Sequence, residues 1–178
     1  MKLHLRIASK VKMLSLWLVL FTLSATAYAS TADSLLLTGS VFNDKHRISE
    51  IKINIYVDNN IYKTVIVERS NRFRTNLPLN KMVTVEITAP GFYNKRIMID
   101  TEVPENRPRQ LMYDFDMDLY AESEMEGVNT SILDFPVGLI QYQKGKFARN
   151  KKYTNQMKSE YMRLLEEAYT SDQGGKMD

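Results

Sequence analysis

Cysteine is absent from all 178 residues. This excludes a thiol nucleophile, disulfide staples, cysteine-ligated zinc or iron–sulfur, and the acylated N-terminal cysteine of bacterial lipoproteins. The single tryptophan, Trp17, lies in a segment expected to be cleaved. Its loss removes the commonest sugar-stacking platform, although nine tyrosines remain. One histidine, His46, remains downstream of that segment, between Lys45 and Arg47 in an expected loop, and no Gly-x-Ser-x-Gly turn is present. Two flanking cations in a loop do not orient His46 as a base. No catalytic residue, cofactor or metal site is therefore expected.

Long hydrophobic runs are also few. The one that stands out, Met13–Leu23, is 11 residues long, against the roughly 20 needed to span a bilayer as a helix. It follows a basic head (Lys2, Arg6, Lys10, Lys12) and precedes Ala27-Tyr28-Ala29, the arrangement of a secretory signal peptide cut after Ala29. Export to the periplasm, extracellular space or cell surface is the expectation, with no transmembrane segment after cleavage. Removing residues 1–29 takes away four bases and no acid, so 20 basic residues face 21 acidic ones, for a net charge of −1. A basic-protein argument for nucleic acid fails on that count. Charge is segregated instead: residues 30–99 carry +4, residues 100–140 carry −8, and residues 141–178 carry +3. At 149 residues, the remainder is long enough to bury a core without cross-links.

From Leu35 to Leu119 apolar residues alternate with polar ones and turn residues interrupt every eight to twelve positions, which predicts an all-β fold. Ile51, Ile53, Ile55 and Val57 alternate with Lys52, Asn54 and Tyr56. Asp58-Asn59-Asn60 tolerates left-handed angles and reads as a hairpin into Ile61–Val67. Strands are also predicted at Leu35–Val41, through Phe73 and Thr75 to Leu77-Pro78, at Met82–Thr88 and at Lys95–Thr101. Tyr113, Phe115, Met117 and Leu119 alternate with Asp114, Asp116 and Asp118 in a seventh. The expectation is an antiparallel, seven-stranded β-sandwich with a C-terminal amphipathic helix. Residues 30–120 form the sandwich, 121–153 an irregular acidic-then-basic linker, and 154–178 a helix capped by Thr154 with a disordered final stretch.

The order Gly39-x-Val41, the Ile51–Val57 strand, Phe73-x-x-x-Leu77-Pro78 and Pro90-Gly91-Phe92 before Ile97-x-Ile99-x-Thr101 resembles the carboxypeptidase regulatory-like domain. The resemblance covers about residues 35–119. It implies a prealbumin-like sandwich and a non-catalytic accessory module of exported envelope proteins. Ser70-Asn71-Arg72 and Ser49-Glu50 stand where members usually carry Asp-Gly and Pro-Gly. The family has no shared catalytic set to carry over.

Asp114, Asp116 and Asp118 match the first ligands of a helix-loop-helix calcium motif, but Leu119 replaces its glycine and Met125 its bidentate glutamate. A strand also holds alternate carboxylates about 6.8 Å apart, so a solvated face is expected. The binding candidate is cationic: Lys144, Lys146, Arg149, Lys151 and Lys152, five cations in ten residues interleaved with Phe147 and Tyr153. They precede a helix N-terminus, whose partial charge repels cations, so helix stability does not account for them. Pairing with the acidic stretch or docking onto a partner is expected, with Met157, Tyr161 and Leu164 supplying an apolar helix face to be packed against the sandwich or a partner and counted with the candidate interaction surface. The function expected is protein–protein interaction in the cell envelope, with an envelope protein or a second copy as partner. The alternative is binding of an anionic glycan or lipid headgroup. Intact mass of the exported protein should correspond to a chain starting at Ser30; a mass that includes residues 1–29 would restore an uncleaved anchor.

Overall fold

The computed structural model describes residues 34–108, 110–126 and 129–174; the expected leader lies outside them. Ten strands and one helix are present among the described residues. They are β1 (Ser34–Asn43), β2 (His46–Arg47), β3 (Ile51–Val57), β4 (Asn60–Val67), β5 (Arg72–Pro78), β6 (Met82–Thr88), β7 (Lys95–Asp100), β8 (Leu111–Asp118), β9 (Gly138–Gln143), β10 (Lys146–Arg149) and α1 (Lys151–Gly174). Two 3-10 turns, Glu122–Met125 and Ser131–Asp134, precede β9.

The seven strands expected from alternation are β1 and β3–β8. In the four-stranded sheet β1 is central, and β8, β5 and the short β2 all pair directly with it, β5 along Ser34–Ser40 and β2 at Phe42 and Asn43. The second sheet runs β10-β9-β7-β6-β3-β4. Two pairings, β1 with β8 and β7 with β9, are parallel, which departs from the wholly antiparallel expectation. Alternation marks which residues face inward, but it does not fix the direction of a neighbour reached by a long connection.

Period-two patterning places Leu35, Leu37 and Val41 of β1, Phe115 and Met117 of β8, and Ile51, Ile53 and Ile55 of β3 in one cluster, joined by Val83, Val85, Ile87, Ile97 and Ile99. The side chains come from both sheets, and each fully buried Val or Ile contributes roughly 1.5–3 kcal/mol. The opposite face of β3 and β6 carries a polar network. Glu86 accepts from Asn54 Nδ2 (3.1 Å) and Tyr56 Oη (2.9 Å), and pairs with Arg96 at 2.8 Å. Burial pushes the Glu86 carboxyl up, but hydrogen bonds from Asn54, Arg96 and Tyr56 outweigh it and hold the carboxyl below its usual range.

Residues 121–153 are not an irregular linker throughout. Gly138 opens β9, which pairs with β7 on one side and β10 on the other. Pro136 lies just before the strand, where its missing N–H removes no ladder bond. The helix also begins earlier than Thr154. Asn150 caps it, accepting from the Tyr153 N–H through Oδ1 (3.1 Å) and from the Thr154 N–H through its carbonyl (3.0 Å). The helix extends to Gly174, into the stretch expected to be disordered.

Gly39 sets the packing of the first sheet. It pairs with Phe73 on β5 and with Phe115 on β8, and the two rings meet edge to face over it with centroids 5.7 Å apart. A Cβ here would lie 2.7 Å from Phe73 Cζ and 2.9 Å from the Phe115 carbonyl oxygen. Gly39→Ala should cost about 1–3 kcal/mol by overpacking, read as a lower urea midpoint, and adding Phe73→Leu should recover part of the loss. An unchanged midpoint for Gly39→Ala would show that the rings shift freely.

Candidate interaction surface

The cationic segment forms the β9–β10 hairpin and the start of α1. Lys144 and Gly145 make the turn, both with positive φ (49° and 86°), so Lys144 occupies a backbone region uncommon for a side-chain-bearing residue. Lys144, Lys146, Arg149, Lys151 and Lys152 are all exposed. Arg149 donates from Nε to Tyr113 Oη at 3.3 Å. Among the described residues, none of the five makes an ion pair with a carboxylate. The expected pairing with the acidic stretch of the same molecule is therefore not made: the aspartates of β8 face outward on the other sheet, while the hairpin edges the second.

The apolar residues grouped with these cations in the sequence are placed elsewhere. Phe147 is in the main core, edge to face with Tyr142 at 5.6 Å. Met157, Tyr161 and Leu164 fill a second cluster with Met125 and Leu133, flanked by Tyr93, Tyr120 and Tyr153. The helix thus covers its apolar face with its own chain, chiefly the two 3-10 turns, so these three residues are corrected from docking surface to interior. Helical spacing marks an apolar face but carries no information about what covers it.

A cavity of about 150 Å³ lies where β8 meets β7 and β9, between Tyr113, Phe115, Ile97 and Ile140, with Arg149, Thr154 and Asp116 as its polar lining. At roughly 30 Å³ per water it holds a few solvent molecules, below the 300–1,000 Å³ usual for a larger ligand. Thr154 Oγ1 is buried there without a hydrogen-bond partner, since Asn150 has taken the capping role that the sequence suggested for it.

The residue that sequence reading passed over is Lys95. It opens β7 on the inward face shared with Ile97 and Ile99 and is only 5% exposed. Its Nζ sits 3.6 Å from the Tyr120 ring centroid and 5.3 Å from that of Tyr161. Burial lowers its pKa from 10.5 to about 8, and the charges of Asp118 and Glu124 partly oppose that. Burial also raises the Tyr120 and Tyr161 hydroxyls. The available signal was positional parity: counting back by twos from Ile99 and Ile97 puts Lys95 on the core side. The chemistry this supports is cohesive, a cation stacked between rings from β8's C-terminal extension and from α1.

No known family profile matches the chain, and no curated protein sequence does. Solved structures with partial similarity include catechol 1,2-dioxygenase from Acinetobacter sp. ADP1, at 12% identity and a TM-score of 0.37 over 54% of this chain and 55% of that one. Another is S.CueP, at 12% identity and 0.38 over 52% and 67%. A third is the dioxygenase domain of a carbohydrate-binding fusion from Streptomyces sp. SirexAA-E, at 9% and 0.37 over 53% and 86%. The chain spans about half the length of the first.

The Lys95 ammonium supplies a pH prediction. Its folded pKa is lowered, so between about 8 and 10.5 the unfolded chain binds more protons and stability rises with pH. The raised tyrosines act oppositely above pH 10, where unfolded tyrosine ionises and the folded hydroxyls do not. Urea unfolding should show stability climbing from pH 8 towards 10 and then falling. Lys95→Met should flatten the climb and raise stability at pH 7 by about 1–3 kcal/mol. A less stable Lys95→Met would show that stacking on the tyrosines exceeds the desolvation cost.

Proposed function

We propose that this chain is an exported, non-enzymatic interaction module of the bacterial cell envelope. Its working surface is the cationic ridge of the β9–β10 hairpin and the first turn of α1. The observation that carries the reading is that five clustered cations stay exposed and without a carboxylate partner among the described residues. Cations placed against a helix's positive end, and without a carboxylate partner among the described residues, are accounted for by an acidic surface on another molecule. The fold we assign is a prealbumin-like sandwich of the carboxypeptidase regulatory-like kind. Support comes from the motif order in the sequence and from inward residues of both sheets meeting in one core.

A non-catalytic role has two supports. His46 is exposed on the short β2 strand, between Lys45 and Arg47 and outside the buried core. The one amine that burial brings to about 8, Lys95, is closed in by tyrosines and offers a substrate no approach.

Binding of an anionic glycan or lipid headgroup is the second reading, favoured by the same unpaired charges where the partner is not a protein. Replacing Lys144, Lys146, Lys151 and Lys152 with Ala should leave the fold intact, since all four are exposed. Cross-linking in the native envelope should then lose the partner bands, with retention on anionic matrices falling and becoming insensitive to salt. Salt-sensitive binding to anionic lipid vesicles by the parent chain, lost in the variant and with no protein captured, would replace the first reading with the second. Unchanged cross-linking and unchanged vesicle binding would overturn both.

A further inference from the structure

The outer face of the four-stranded sheet carries a pattern that neither the core nor the hairpin uses. Its side chains stand in three columns fixed by strand register. The central column, from β1, is Leu36, Thr38, Ser40 and Phe42. Beside it on β5 and β2 stand Asn76, Arg74, Arg72 and Arg47, and beside it on β8 stand Met112, Asp114, Asp116 and Asp118. The rows therefore read Asn76-Leu36-Met112, Arg74-Thr38-Asp114, Arg72-Ser40-Asp116 and Arg47-Phe42-Asp118. Three arginines flank one side of β1 and three aspartates the other, about 9.6 Å apart at two strand spacings.

All six charged residues are exposed. Among the described residues none makes an ion pair, and the one polar contact of an aspartate is with Thr38, which donates to Asp114 at 2.5 Å. Within one molecule every arginine stays on its own side of the β1 column. The face is net neutral yet strongly divided.

We propose that this face is an isologous interface that takes a second copy of the same chain. It rests on reading the chain as an interaction module but uses a different face from the hairpin. A two-fold axis lying along β1 carries the arginine column of one copy over the aspartate column of the other, row for row. Arg74 meets Asp114 of the second copy, Arg72 meets Asp116 and Arg47 meets Asp118, and symmetry repeats each pair, giving six. An axis across the strands would set arginine on arginine, so the charges select one orientation as well as one partner. The β1 column lies on the axis, where Leu36 and Phe42, at its two ends, face their own copies and add apolar contacts that exposed ion pairs alone lack, with Thr38 and Ser40 between them. Met112, 57% exposed, stands beside Leu36 at one of those ends.

The chain has no cysteine, so a single introduced thiol reports the axis directly. Ser40→Cys, treated with a short-span bismaleimide, should give a covalent dimer, whereas Lys63→Cys on the exposed edge strand of the other sheet should not. Adding Asp114→Arg to Ser40→Cys should weaken dimerisation by about tenfold or more, adding Arg74→Asp to that variant should restore it, and raised salt should reduce it throughout. Circular dichroism confirms that each variant is folded. Equal cross-linking at both thiols, no rescue by the second charge reversal, or a monomer by sedimentation at about 100 µM would each overturn the proposal. The four-alanine hairpin variant should dimerise like the parent, so failure of the hairpin reading and failure of this one are separable.

Discussion

The Phe73–Gly39–Phe115 row is the constraint on which the rest of the structure depends. β1 is the strand that both β5 and β8 use as a template, and its pairing with β8 is parallel. A side chain at position 39 would collide with the Phe73 ring on one strand and the Phe115 carbonyl on the other and displace one neighbour. With glycine there, the rings close over the backbone at 5.7 Å, β8 stays in register along eight residues of β1, and Tyr113, Phe115 and Met117 all reach the core. Register also propagates outward: the same in-phase pairing that buries Phe115 lines up Asp114, Asp116 and Asp118 on the opposite face.

Lys95 and Arg96 show how one position of offset decides the fate of a charge. They are adjacent at the start of β7 and point to opposite faces of the sheet. Arg96 finds Glu86 at 2.8 Å, donates to the Asp134 carbonyl at 3.0 Å, and thereby ties the outer face of the sheet to the turn ahead of β9. Lys95 turns inward, where no carboxylate among the described residues hydrogen-bonds to it, and its ammonium rests on the rings of Tyr120 and Tyr161. Burial of a cation is costly without compensation, and two tyrosine faces with Asp118 and Glu124 nearby provide it in part. The outcome joins β7, the segment after β8 and the helix through a single side chain.

The surface that remains has two distinct electrostatic characters. The hairpin and helix start present cations alone, suited to an acidic partner. The outer face of the first sheet presents both signs in separate columns, suited to a copy of itself. The helix, by contrast, offers little: its apolar side is spent within the chain, and Arg163 lies between Glu160 and Glu167 on the solvent side, making ion pairs to both. On the reading proposed above, recognition falls to the strands and the first turn of the helix, while the rest of the helix packs against its own chain.

Seven of the ten strands were legible in the sequence because a strand buried on one face must alternate, and turn residues punctuate the alternation at Asp58-Asn59, Pro90-Gly91 and Leu77-Pro78. The cationic cluster was legible as composition, and the apolar helix face as a 3.6-residue repeat. What covers that face, and whether the cations pair, was not, because such contacts join residues far apart in the chain that no local pattern links. The same holds for the parallel pairing of β1 with β8, the caging of Lys95, and the opposed columns of arginine and aspartate. Local sequence determined which way each side chain points relative to its own strand or helix; only the tertiary structure decided which strands became neighbours, since that is set by packing free energy summed over the whole core.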